Sequence, residues 1–351
     1  MMRPTVTVLI DTYNHERFIE EAIVSVLEQD FPREETEVIV VDDGSTDRTP
    51  EIIRKFAPRV RHLRKANGGQ ASAFNAGIAE AIGDYVAFLD GDDWWAQDKL
   101  QWVCNTFESN PEIGVVGHGY VEVYENESVC RTFVPDSCYH IHLRNEEGAR
   151  LLTMLKSFLG TSRVAIRKKV LDQVLPIPDE LVIEADEFMS TMAVALSDGI
   201  ILDKPLFYYR FHADNLFQFR ERTREKLLRR QKVMACLAAK LPNQLATVGC
   251  SPRTIARVIE PIWVEAERGR LALEGGKPRD TYRIEKTDFR LSYKRPKLGY
   301  RIFKATVLMA TLLLPPRSFY RIRQWYSDNN LKRIRRLLGE PEPAAPIVER
   351  S

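Results

Sequence analysis

Cysteine is scarce and unpatterned in this chain. Its five cysteines (Cys104, Cys130, Cys138, Cys236, Cys250) form no C-x-x-C pair and no zinc-like spacing. That excludes a disulfide scaffold and a cysteine zinc site, and predicts reduced thiols in a cytoplasmic setting. Long apolar runs are missing as well. The most extended, residues 305–314, covers ten positions, where ~20 are needed to cross a bilayer. The N-terminus, MMRPTVTVLIDTYN, passes straight into an alternating strand, without the charged and apolar regions of a secretory signal. No G-x-G-x-x-G follows a strand, which argues against a dinucleotide-binding dehydrogenase. Where a nucleotidyltransferase would carry a Gly-rich, basic phosphate loop after its first strand, this chain has IDTYNHERF. No internal repeat is visible.

Positive charge is in short supply over most of the length. The first 293 residues carry 38 Lys/Arg against 45 Asp/Glu, and the remainder 13 against 4. A nucleic-acid binder needs a basic working face, and only the tail is basic, so nucleic acid is not expected as a partner. What is present is the composition of a globular protein. With 351 residues, 44% hydrophobic and 28% charged, the chain can form one large domain and a smaller one around a substantial core.

The first hundred residues read as strand–helix units. TVTVLI (5–10), EVIVVDD (37–43), the weaker VRHLRK (60–65) and YVAFLD (85–90) are β-rich. Between them run helical stripes, one carrying Phe18, Ile19, Ala22, Ile23, Val26 and Leu27 behind Asn14, a candidate cap, and one carrying Phe74, Ile78 and Ile82. Such alternation implies an α/β fold with a doubly wound, mostly parallel sheet covered by helices on both faces. Ligands bind beyond the carboxyl ends of its strands. Polar residues collect there: Thr12-Tyr13-Asn14, Asp42-Asp43-Gly44-Ser45 and Asp90-Gly91-Asp92-Asp93. From about 110 to 215 strands and helices mix, and from about 216 the chain is helical and charged.

Aspartates gathered at a strand end repel one another unless a cation compensates them. Two or three oxygens of a D-x-D cluster are hard ligands that suit Mg²⁺ or Mn²⁺, completed by phosphate oxygens and water. The competing reading is an acidic cap, with Asp92 or Asp93 starting the helix of Trp95, Leu100 and Val103. A second acidic strand end, Asp42-Asp43, favours the metal.

Four ordered segments, VTVLIDTYNHERFIEEAIVSVLEQ, VIVVDDGSTDRT, NGGQASAFNAG and YVAFLDGDDWWAQDKL, resemble family 2 glycosyltransferases, inverting enzymes of GT-A fold, over roughly residues 4–215. The resemblance implies a nucleotide-diphosphate sugar as donor (UDP-, GDP- or dTDP-linked), a saccharide or lipid-linked acceptor, and a role in cell-surface polysaccharide or glycolipid synthesis. It places Thr12 and Tyr13 against the base and ribose, Asp43 (with Asp42 as second choice) at the base edge, and Asn67, Gly68 and Gly69 over the donor. Asp90 would face the ribose or donor sugar, Asp92 would coordinate the metal, and Asp93 would support or cap. Asn75 is left open between structure and function. Asp11 stands where the family commonly has Pro or a small polar residue; a carboxylate near a diphosphate is unfavourable unless it points away, so Asp11 is left out of the site. The family's catalytic base falls in EADE, where Asp186 matches it and Glu184 is the second choice; the alternative is that Asp186 and Glu187 only favour a helix dipole. In YYRFHADN, His212 is a candidate metal or phosphate ligand and Arg210 a candidate phosphate partner. Trp94 or Trp95 is a stacking platform with the other in the core, His118 packs or faces the acceptor, and Thr161 and Ser162 fall at the acceptor pocket. The alternative to an enzyme is a non-catalytic GT-A scaffold or nucleotide-binding protein.

The expected organisation is a catalytic domain over 1–215, a helical region over 216–338 and a disordered Pro-rich tail over 339–351. Within 294–338, basic residues mixed with Phe303, Phe319, Tyr320, Trp325 and Tyr326 fit a helix peripheral on the inner face of a membrane, or one docked on protein.

Overall fold

The computed structural model describes residues 4–124, 130–212, 215, 223–292, 298–328 and 347–350. The chain divides into two units. The first comprises Met1–Arg220, Asn243–Ile255 and Pro346–Ser351, the second Glu221–Pro242 and Ala256–Ala345. The helical region that begins near 216 is therefore shared between them.

The first unit opens with β1 (Val6–Thr12), α1 (Ile19–Leu27), β2 (Thr36–Asp42), α2 (Thr49–Arg54), β3 (Arg61–Arg64), α3 (Gln70–Glu80) and β4 (Tyr85–Asp90). Each connection carries a helix, so the strands pair in parallel, in the order β3-β2-β1-β4. Then follow β5 (Trp94–Trp95), α4 (Lys99–Ser109), β6 (Ile113–Tyr124), β7 (Cys130–Pro135), β8 (Tyr139–Ile141), α5 (Glu146–Leu155), β9 (Val164–Arg167), α6 (Lys168–Val174), α7 (Ala185–Leu196) and β10 (Asp198–Phe211). These make the sheet mixed: β9 is antiparallel to both β4 and β6, and β10 is parallel to β6.

Period-two alternation sorts the core onto two faces. Val6, Val8 and Ile10 of β1 pack with Ile19, Ala22 and Ile23 of α1, with Ile52 and Ile53 of α2, and with Leu100 and Val103 of α4. The residues between them face α3. A Cβ on Gly77 would meet Leu9 and Val41, and Phe74 lies 5.2 Å from Phe88 between ring centres. Helices thus cover both faces, as the apolar strands required.

Two local expectations are corrected. Asn14 does not cap α1, which begins at Ile19 behind Phe18. It takes a left-handed conformation (φ 57°), and its Oδ1 accepts a bond from Thr46 N at 2.8 Å, joining the loops after β1 and β2. At the other end, Ile347–Arg350 forms a strand, β11, antiparallel to β7, where the Pro-rich composition predicted disorder over 339–351. Residues 339–346 lie outside the described residues.

The second unit holds most of α8 (Arg224–Thr247) and α9 (Pro252–Glu274), together with α10 (Pro278–Ser292), α11 (Leu298–Leu313) and α12 (Pro316–Asp328). Val264, Leu271 and Ile284 form its small core, with Trp263, Leu291 and Tyr320 against them. Arg268 bonds Glu285 at 2.9 Å and Asp288 at 2.6 Å, and Arg323 also pairs with Glu285.

Asn75 proves structural. Its Nδ2 donates to Ile177 O at 2.8 Å and its Oδ1 accepts from Ile177 N at 2.9 Å, pinning α3 to the segment before α7. Asn75→Ala strands both backbone groups and is expected to lower stability by about 1–3 kcal/mol, as measured by urea unfolding.

Candidate active site

After β1 the chain steps to β2 and β3 on one side and returns to β4 on the other. The topological switch point, where open α/β sheets bind ligands, therefore falls between β1 and β4. There Asp11 and Asp90 are register partners. Both lie at odd steps from the α1-facing residues, so both point to the α3 side. Asp11, left out of the site on sequence, is thus placed beside Asp90, and its Oδ1 is buried with no hydrogen-bond partner.

The cluster's charge is visible in its acidities. Burial, then repulsion from Asp90 and Asp92, raises Asp11 well above the ordinary carboxylate range. Burial, then Asp92 and Asp186, pushes Asp90 up to about 8. Burial, then Asp92 and Asp90, also raises Asp93. Asp92 alone is held low: burial opposes its ionisation, but the His15 charge and the hydrogen bond to His212 outweigh it.

Asp93 supports the site from beneath. It does not cap α4, which starts behind Asp98. Its Oδ1 accepts Arg210 N at 3.0 Å and its Oδ2 accepts Ser162 Oγ at 2.8 Å. Because β9 runs antiparallel to β4, the residues before β9 reach the carboxyl end of β4. Ser162 Oγ accepts Asp90 N at 3.0 Å, while Ser162 O accepts Lys99 Nζ at 2.8 Å. Lys99 is fully buried over Trp95, 3.7 Å from the ring centre. Trp95 is thus core, and Trp94 stacks on Tyr208.

On the other side of β1, Asp42 accepts Ser45 N at 2.8 Å. Asp43 anchors the Asn67–Gly69 loop by accepting Gly69 N at 2.7 Å, Gly68 N at 3.0 Å and Lys65 Nζ at 2.7 Å. Gly69 has φ +82°, and a Cβ there would come within 2.6 Å of Val182 Cα, so glycine is required. Thr12, the register partner of Asp42, is buried and Tyr13 is exposed.

Asp186 lies in the first turn of α7, with Oδ2 accepting Thr161 N at 3.1 Å. Burial, then Glu187, raises its pKa against the pull of Arg163. Glu184 precedes the helix in a left-handed conformation (φ 58°), buried, a strain that collects at functional sites. Gln70 ties the two loops: its Nε2 donates to Thr161 Oγ1 at 3.0 Å and its Oε1 accepts Ala185 N at 2.9 Å. A cavity of about 40 Å³ opens beside Asp186, lined by Leu152, Lys156, Gly160, Glu187 and Thr191 among others.

From β10, Arg210 pairs with Glu21 and donates from Nε to Asp92 O at 3.0 Å. His212 Nε2 lies 3.1 Å from Asp92 Oδ2, and His15 Nε2 lies 3.9 Å from it. Ala213 and Asp214 lie outside the described residues. Among the described residues no three His, Cys, Asp or Glu side chains form a ready metal cage. An octahedral ion with bonds of ~2.1 Å keeps adjacent ligand atoms about 3 Å apart, and usually takes one or two carboxylates plus phosphate oxygens and water. The Asp92–His212 pair fits that demand.

The structure therefore gathers Thr12, Asp90, Asp92, Arg210 and His212 around one rim, with Asp186 electrostatically linked to Asp90. Asp42, Asp43 and the Asn67–Gly69 loop form its flank. His118 is buried with Nδ1 on Gly119 O at 2.8 Å, and packs. Sequence reading missed Asp11, His15, Gln70, Lys99 and Arg163. Arg163 stands 4.7 Å over Tyr120 and offsets the charge of Asp90 and Asp186. Only Asp11 had a signal, its position beside Asp90 in a parallel register.

The profile of the family described as Glycosyl transferase family 2 matches residues 7–175. Over 217 residues the chain is 35% identical to an uncharacterized glycosyltransferase of Nostoc sp., covering 60% of this chain and 66% of that one. It is 40% identical over 137 residues to the uncharacterized glycosyltransferase EpsJ of Bacillus subtilis, covering 38% of each. It is 28% identical over 212 residues to the poly(ribitol-phosphate) beta-N-acetylglucosaminyltransferase TarS of Staphylococcus aureus, covering 58% of this chain and 35% of that one. The chain thus spans less than two thirds of these relatives' lengths. The crystal structure of TarS 1–349 in complex with UDP-GlcNAc superposes with TM-score 0.61 at 19% identity, over 82% of this chain and 80% of that one. That likeness shows the GT-A type fold.

The raised pKa of Asp90 has a measurable consequence. From the ordinary 3.8 up to about 8 the folded protein holds a proton that the unfolded chain has released. Without divalent cation, stability is therefore expected to fall as pH rises through that window, and more steeply than in Asp90→Asn. Melting temperatures across the pH range check this.

Proposed function

We propose that this chain, whose residues 7–175 match the family described as Glycosyl transferase family 2, transfers a sugar from a nucleotide-diphosphate donor to an acceptor hydroxyl with inversion. One observation carries the reading: consecutive residues Thr161 and Ser162 bond Asp186 Oδ2 at 3.1 Å and Asp90 Oδ2 at 3.3 Å, so a carboxylate from a helix distant in sequence stands near the one that ends β4. On that reading, one of the two carboxylates faces the donor and the other is the base for the acceptor.

In this reading Thr12 and Tyr13 hold the base and ribose, with Asp42 and Asp43 at the base edge. Asp43 acts as well through the Gly68–Gly69 backbone, which approaches the donor closely. Asp90 faces the ribose or donor sugar. Asp92 and His212 would hold Mg²⁺ or Mn²⁺, which would neutralise charge growing on the diphosphate as the glycosidic bond breaks. Arg210, already paired with Glu21, keeps the Asp92 backbone in place. The acceptor oxygen attacks the anomeric carbon opposite the departing diphosphate, through an oxocarbenium-like transition state. Asp186 takes the acceptor's proton; its raised pKa makes it a better base than an ordinary carboxylate. Glu184, bent into α7, orients that turn. The acceptor is a saccharide or lipid-linked hydroxyl, and the product belongs to cell-surface polysaccharide or glycolipid synthesis.

A panel of UDP-, GDP- and dTDP-sugars, assayed for transfer and hydrolysis with Mn²⁺ or Mg²⁺, tests this. Asp186→Asn is expected to lower transfer by about 100- to 10,000-fold, the usual worth of a general base, with nucleotide binding retained. Asp92→Ala is expected to abolish metal-dependent turnover. No thermal stabilisation by any nucleotide with metal would instead favour a non-catalytic scaffold.

A further inference from the structure

Helix α11 is built the wrong way round for a water-soluble surface. Leu298, Ile302, Met309, Leu312 and Leu313 are exposed by 71, 60, 58, 37 and 80%. At about 100° per residue these positions, with exposed Ala305, fall within an arc of about 100°. Tyr300 and Thr311 turn to the opposite side and are fully buried. The stripe therefore runs the whole helix, sixteen residues or about 24 Å, and faces solvent. A single exposed leucine is ordinary, whereas a contiguous apolar face marks a contact surface.

Charge identifies the contact. From Leu298 to Gln324 the chain has Arg301, Lys304, Arg317, Arg321 and Arg323 and no acidic residue. Arg301 is exposed at the edge of the stripe, and Arg317, Arg321 and Ile322 are exposed on α12. A second copy of this face would set like charges against one another. An anionic lipid surface complements both the apolar stripe and the exposed arginines. Among the described residues no helix is long and apolar enough to cross a membrane, so the helix would lie in the interface plane. We propose that α11 and α12 form a docking surface for an anionic lipid bilayer, the α11 stripe entering the acyl boundary and the arginines meeting headgroups. The basic positions 332–336 lie outside the described residues, as do the side chains of Trp325 and Tyr326; the proposal does not need them.

Flotation of the full chain with vesicles of phosphatidylcholine alone, or of phosphatidylcholine with phosphatidylglycerol, tests the surface without requiring sugar transfer. At low salt the protein is expected to float with the anionic vesicles only, and to be released by high salt. Arg301→Ala with Arg321→Ala is expected to weaken partitioning about 30-fold, from ~1 kcal/mol per basic residue. Ile302→Asp with Met309→Asp is expected to abolish it. Both pairs are exposed, so unchanged melting temperatures are expected; if the aspartate pair melts lower, the arginine pair carries the test alone. Protein that stays unbound at low salt, or binds neutral vesicles equally well, overturns the proposal. So does a lipid-free dimer that the aspartate pair dissociates.

Discussion

The structure turns on negative charge concentrated at one switch point. Parallel pairing of β1 with β4 sets Asp11 against Asp90, the turn after β4 adds Asp92 and Asp93, and α7 brings Asp186. Isolated carboxylates packed so closely would protonate rather than ionise, and most of these do shift that way. Asp92 is the exception because two histidines face it. A site poised between proton and cation is what a fold needs if it is to receive a diphosphate together with its metal.

The rest of the first unit keeps that charge in place. Ser162 holds Asp90 and Asp93, and buried Lys99 holds Ser162. Asp43 fastens the glycine loop, and Gln70 joins that loop to the turn bearing Asp186. The Asp43-anchored loop and the Asp186 turn are therefore mechanically connected through a few side chains. Displacing one loop disturbs the other.

Much of this was legible before any coordinates. Apolar strands ending in short polar runs pointed to the sheet and its polar rim, because strand period and turn chemistry are local properties. Asp90, Asp92 and Asp186 were singled out by motif, and in the structure Asp90 ends β4 and Asp92 lies in the turn after it, while Asp186 reaches Thr161. The misses share a cause: Asp11, His15, Lys99 and Arg163 matter through neighbours distant in sequence, and pairing register decides those neighbours. Asn14 looked like a cap because Asn favours caps, but the loop after β2 offered it better partners. The terminal strand at 347–350 was hidden by prolines that precede it.

The central claim is that Asp92 and His212 hold a cation bearing a nucleotide diphosphate. Crystals soaked with Mn²⁺ and UDP, GDP or dTDP, measured for anomalous scattering, test it most directly. The account predicts a manganese peak bonded to Asp92 and His212, with diphosphate oxygens completing its shell. Nucleotide bound at this rim with no manganese beside Asp92, or manganese bound elsewhere, would contradict it.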